Sequence, residues 1–266
     1  MKKIALLLSF LCLTTVVNAA TTWKASDRVA PVGKVIVTKN DLPSTITFKV
    51  TTNAIDNSDV ATTKVIYIPK TSLSYAGNDN EVAAVITHEI GDIINGKSAK
   101  DKLKNFVMPQ DNSTQQSITT TILNNRTTLS DNKEADLTGA DLMVKAGYNP
   151  LAMVVVLTKM PASTFELLNG APANAQRAMN VYNYLTYNYP QKVKAGYNCR
   201  EYRAFLAYAD PIVKERNSNK KKLAKFNKEQ EKIKKQRAKN IAKYKATGGI
   251  SGWDATYMIL RDITQN

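Results

Sequence analysis

The stretch Asn78 to Lys97, read N-D-N-E-V-A-A-V-I-T-H-E-I-G-D-I-I-N-G-K, constrains this chain more than any other. Asn78 suits a helix N-cap, and Glu81 three residues later completes a capping box. Val82, Val85, Ile86, Glu89 and Ile93 recur at helical spacing, and Gly96 supplies a C-terminal stop. One helix is therefore expected here, apolar enough to need a layer packed on it. It also carries His88, the only histidine of the 266 residues.

Residues 1–20 hold Lys2 and Lys3, then an apolar core, then Asn18-Ala19-Ala20. That order reads as a secretory signal peptide and implies a periplasmic or secreted protein. No other segment approaches the roughly 18 uninterrupted apolar residues of a membrane span. Export removes Cys12 and leaves Cys199 alone, so no internal disulfide is expected and the fold must rest on its core. A buried, inert thiol is the plain reading of Cys199, against a cysteine nucleophile paired with His88.

The formal charge of +15 is unevenly placed. Lys214 to Lys245 holds fourteen Lys or Arg against three Glu, so +11 of that charge sits in one segment. The remainder is close to neutral. Leu223, Phe226, Ile233, Ile241 and Tyr244 make a thin apolar stripe through the segment. That pattern suits a helix laid against the body or another surface, with lysines elsewhere around it. Such a helix either solubilises the protein or attracts an anionic partner: a lipid headgroup surface, lipopolysaccharide or an acidic protein. With export, no nucleic-acid partner is expected.

Upstream of the central helix the pattern is β-like. Lys34-Val-Ile-Val-Thr38, Ser44-Thr-Ile-Thr-Phe-Lys-Val50 and Thr63-Lys-Val-Ile-Tyr-Ile68 are separated by turn residues, and predict a sheet of about three strands. Downstream the pattern is helical. A short helix and loop fill 97–112, and a threonine-rich helix lies in 113–130. Stronger helices run over 131–146, from Asn149-Pro150 to about Met160, over a tyrosine-rich stretch ending at Pro190, and from Cys199 to Arg216. After the lysine-rich segment, Gly248-Gly249 breaks the chain before a last amphipathic helix, Trp253 to Ile263.

His88-Glu89-Ile90-Gly91-Asp92 is one letter short of the H-E-x-x-H motif of zinc peptidases. The intact motif places two histidines one turn apart on one face, so both imidazoles hold one zinc while the glutamate activates water. Here Asp92 stands at the second histidine. The central block is followed by Glu134-Ala135-Asp136-x-x-Gly139 and by Ala146-Gly147-Tyr148-Asn149-Pro150. Taken together over roughly 34–195, these blocks resemble the HtpX-like gluzincin peptidases, which include the CAAX prenyl proteases and the periplasmic β-barrel assembly-enhancing protease.

The resemblance implies a zincin-like α+β fold, mainly helical, with a small sheet packed on the central helix. Residues 21–210 would form the peptidase-like domain and 211–266 a basic helical extension. It further implies metal positions at His88, Asp92 and Asn132, with Glu89 as general base. Asp136 falls where the family keeps a carboxylate that orients a ligand. Tyr189-Pro190 falls on a late His-Pro of some members; alone, Tyr189 reads as a core aromatic with a wet hydroxyl. Asp92 is still an oxygen donor that zinc accepts, but Asn132 offers only a neutral amide oxygen. Weak or absent zinc and impaired or lost catalysis are therefore expected. Without metal, His88 and Asp92 form a hydrogen-bonded pair at i and i+4. The function implied is metalloendopeptidase on envelope polypeptides. The alternatives are a catalytically dead polypeptide binder, acting as chaperone or adaptor, and an anionic-surface binder working through the basic tail.

Overall fold

The computed structural model describes residues 22–53, 63–94, 132–160 and 174–246. The leader, the expected helices within 97–130 and the final amphipathic helix lie outside the described residues. The protein is mainly helical, with a small parallel sheet.

Helix α1 spans Ala25–Lys39 and buries Val29, Val32, Gly33, Ile36 and Val37. Those positions form one helical stripe, at i, i+3, i+4, i+7 and i+8. The strand expected over Lys34 to Thr38 is thus the last turns of a helix. β-branched residues favour strands locally, but only the helix gathers Ile36 and Val37 with Val29 and Val32 on one core-facing stripe. Tertiary burial overrides the local preference.

The other two expected strands are present. β1 (Thr47–Thr51) pairs in parallel with β2 (Val65–Pro69), in register from Thr47 opposite Val65 to Thr51 opposite Pro69. Ile66 and Ile68 point to one face and are wholly buried. On the other strand Phe48 lies against α1. A Cβ added to Gly33 would meet the Phe48 ring at 2.4 Å, so the glycine is what lets the ring seat there.

A short helix, α2 (Lys70–Leu73), leads into the central helix α3 (Asp79–Ile94). α3 packs on α1 and β2. Val82 to Ile86 and Ile90 are all buried, so neighbours surround the helix over most of its length. Helix α4 runs through 132–146 and buries Ala135, Leu137, Ala140, Leu142 and Met143. The side chain of Asn40, at the end of α1, donates to the Leu142 carbonyl at 3.1 Å and ties α4 to the first layer.

α5 (Leu151–Lys159) is apolar all round and buried from Leu151 to Leu157, between α3, α6 and α8. α6 (Ala175–Asn188), α7 (Pro190–Ala195), α8 (Arg200–Ser218) and α9 (Lys220–Ala246) complete the described chain. The boundary expected after residue 210 falls inside α8, and α9 lies along α8 and α6. No helix of the described residues is long and apolar enough to cross a membrane.

Candidate functional site

The site is built by one helix crossing. α3 is anchored first: Asn78 Oδ1 accepts the Glu81 amide at 3.2 Å. The Glu81 carboxylate, 2 % exposed, accepts from the Gly77 amide at 2.7 Å and from Lys159 Nζ at 2.7 Å. The hydroxyl of Tyr197 donates to it from α8's side of the molecule at 3.2 Å. The expected N-cap bond is therefore present, while the Glu81 carboxylate takes the backbone amide of Gly77 and, at 3.0 Å, the side-chain amide of Asn78, where a capping box would take the backbone amide of Asn78.

Two turns on, α4 crosses α3 nearly backbone to backbone. A Cβ at Gly91 would lie 2.5 Å from the Ala135 carbonyl oxygen. A Cβ at Gly139 would lie 3.1 Å from the His88 amide nitrogen. This approach brings Asp136 to His88, with Oδ1 2.9 Å from Nδ1. Arg177, on α6, closes on the same carboxylate as a fork: Nε donates to Oδ2 at 2.9 Å and Nη2 to Oδ1 at 2.7 Å. On the other edge of the imidazole, Nε2 stands 3.7 Å from Asp92 Oδ2, one turn along α3.

Burial disfavours charge on His88, but Asp136, by hydrogen bond and charge, and Asp92 by charge outweigh it, so the imidazole titrates above its ordinary value. Burial likewise pushes the Asp136 carboxyl up, and Arg177 with His88 more than reverses this, leaving it below the usual carboxylate range. The arrangement is a carboxylate–imidazole–carboxylate line backed by a guanidinium, which favours a proton on the ring and orients Nε2 toward Asp92.

Of the residues expected at the site, His88, Asp92 and Asp136 come together. Glu89 follows His88 on α3 and is partly exposed. Asn132 stands one turn before Asp136 on α4, on the same side of that helix. Tyr189 goes elsewhere: its hydroxyl donates to Asp141 Oδ1 at 2.8 Å. Asp141, fully buried, also accepts from Tyr184 at 3.0 Å and from Arg237 Nη2 at 2.7 Å. Burial pushes the Asp141 carboxyl up to about 6, against the pull of Arg237 and the two tyrosines. Glu134, on the same helix, pairs with Arg237 at 3.2 Å.

Sequence reasoning missed Arg177, Asp141 and Arg237. Asp141 carried a faint signal, an acid inside the apolar run Ala140-Asp141-Leu142-Met143. Arg237 carried another, as the one arginine among the lysines of α9.

A catalytic zinc takes three protein donors and an open position. His88 Nε2 and Asp92 Oδ2, 3.7 Å apart, have nearly the spacing of two donors on one tetrahedral ion, since ligand distances of about 2.0–2.2 Å set donors roughly 3.5 Å apart. Among the described residues, no group of three or more His, Cys, Asp or Glu side chains is arranged to hold a metal ion. Among the described residues the donors that face one another are two, His88 Nε2 and Asp92, one short of the three protein ligands of a catalytic zinc. No family model matches the chain, and neither a curated protein nor a solved structure matches it.

Proposed function

We propose that this chain is a zincin-like scaffold, akin to the HtpX-like peptidases, that binds envelope polypeptides and has lost zinc hydrolysis. One observation carries the reading: the group that faces His88 Nε2 is the Asp92 carboxylate, 3.7 Å away, and the third position implied by the resemblance is the neutral amide Asn132. Zinc and a proton compete for the Nε2 lone pair, and carboxylates beside the ring favour either cation, so the weakness lies in the donor set: an amide oxygen is a poor zinc ligand. The polypeptide client and the envelope setting rest on the resemblance of the three sequence blocks and on the leader.

A second reading, a working zinc endopeptidase with Glu89 as base, draws on the same geometry. Asp136 engages Nδ1 and leaves Nε2 facing Asp92, the tautomer and orientation that such enzymes impose on a ligand. The two readings part on metal content. Chain 21–266, dialysed against micromolar zinc, is expected to retain well under one zinc per molecule. It should show no chelator-sensitive cleavage of casein, and should still bind reduced, carboxymethylated α-lactalbumin. One zinc per chain, lost in Asp92→Ala together with chelator-sensitive cleavage, would overturn the proposal.

A further inference from the structure

From Leu223 to Arg237 the inner face of α9 is turned to the body. Leu223, Phe226, Gln230, Ile233 and Arg237 recur every three or four residues, the spacing of a coiled-coil seam. Gln230 and Arg237 are buried, Ile233 packs on the core, and Phe226 meets Tyr187 edge to face at 6.1 Å under the Arg216 guanidinium. Arg237 is bonded to Asp141 and Glu134, and Tyr187 donates to Glu231 at 2.6 Å.

The opposite face repeats with the same spacing, but in lysine. Lys221, Lys225, Lys228, Lys232, Lys235 and Lys239 are all exposed. At about 100° per residue they fall within roughly 80° of arc, and at about 1.5 Å per residue they extend over about 27 Å. Glu229 and Glu231 lie to either side of this arc and leave it unbroken.

We infer that this stripe is a docking surface for a bilayer bearing anionic phospholipid headgroups, on which the protein adsorbs with α9 parallel to the membrane plane. The charge, the length and the straightness of the row match a plane of negative charge. Nucleic acid fits less well. Proteins that grip single strands stack bases on aromatic rings, and readers of duplex bases use the arginine fork. The stripe has neither, because Phe226 and Arg237 are turned inward.

Adsorption occurs without insertion. From Leu223 to Arg237 the apolar side of α9 is spent on the body, and freeing it would strand Arg237, Asp141 and Glu134. This separates the protein from amphipathic helices that bury an apolar face among acyl chains. The binding must then be electrostatic alone and reversed by salt, since the screening length falls from about 10 Å at 0.1 M to about 3 Å at 1 M.

The test is co-sedimentation of chain 21–266 with vesicles of phosphatidylcholine alone, or of phosphatidylcholine and phosphatidylglycerol at about three to one. Binding is expected only to the mixed vesicles, with complete release at about 0.5 M NaCl. Changing Lys225, Lys228, Lys232 and Lys235 together to Gln should weaken it at least tenfold. The same charge change at exposed Lys24, Lys34, Lys192 and Lys194 should weaken it much less. Circular dichroism checks that both variants keep the fold. Equal losses in the two variants, a salt-resistant bound fraction, or stripe-dependent binding of duplex DNA without vesicle binding would each overturn the inference.

Discussion

Gly91 of α3 stands directly against Ala135 of α4, so that a single added Cβ would lie 2.5 Å from the Ala135 carbonyl oxygen and 2.9 Å from its Cα. The obstacle is backbone and cannot rotate aside. His88 and Asp136 meet only because these two helices approach so closely.

Gly91→Ala should therefore destabilise the protein, although alanine is the better helix former by about 1 kcal/mol. Overpacking of this kind costs about 1–3 kcal/mol, more where backbone must shift. Gly77→Ala is the control, because its Cβ would meet nothing nearer than Glu81 Oε2 at 3.5 Å. Urea unfolding of the two variants measures the difference, and equal midpoints would refute the close crossing.

A chain with one histidine reports that residue's titration without assignment. The imidazole resonances should give a pKa above the ordinary value of about 6.5, and Asp136→Asn should lower it. The sign for stability follows. A raised histidine pKa contributes stability that is whole below about pH 6.5 and is lost as pH climbs through the folded value. The lowered Asp136 pKa contributes stability above about pH 4, lost as pH falls through its folded value. Asp141 runs the other way: its carboxyl, raised to about 6, removes stability between about pH 4 and 6. The stability gap between the native chain and His88→Gln cancels that background. It should be widest near pH 5–6 and narrow by pH 9, as read by urea unfolding.

What could be read from the sequence was whatever neighbours in the chain enforce on each other. Asn78 and Glu81 are three residues apart, and their cap appears as expected. β1 and β2 follow from runs of β-branched residues, although nothing local says that they pair in parallel. Lys34 to Thr38 failed because its local preference lost to burial shared with Val29 and Val32. Asp136 was expected to orient a ligand on the family resemblance, whereas Arg177 lies 41 residues from Asp136 in an unremarkable run. Asp141 and Arg237 are 96 residues apart. A buried ion pair of that span leaves only the oddity of a charge inside an apolar stripe.

That oddity yields the sharpest stability prediction. Arg237 is 4 % exposed, and its guanidinium bonds Asp141, Glu134 and Thr138 while lying 5.5 Å over the Tyr184 ring. Truncating it leaves Asp141 buried with two tyrosine hydroxyls and no counter-charge, a loss of about 3–5 kcal/mol. Lys cannot substitute, because a point charge on a flexible stem cannot bond three groups in one plane. Arg237→Ala and Arg237→Lys should both lower the unfolding midpoint, and α9 should become the first site of limited proteolysis. Arg237→Met combined with Asp141→Leu should recover much of the loss, since replacing both members of a buried pair with apolar groups removes the desolvation cost as well. Substituting exposed Lys235 on the opposite face should leave the midpoint within about 0.5 kcal/mol of the native chain. If Arg237→Ala proved as mild as Lys235→Ala, α9 would be an appendage, and the lysine row would have no fixed orientation to offer a membrane.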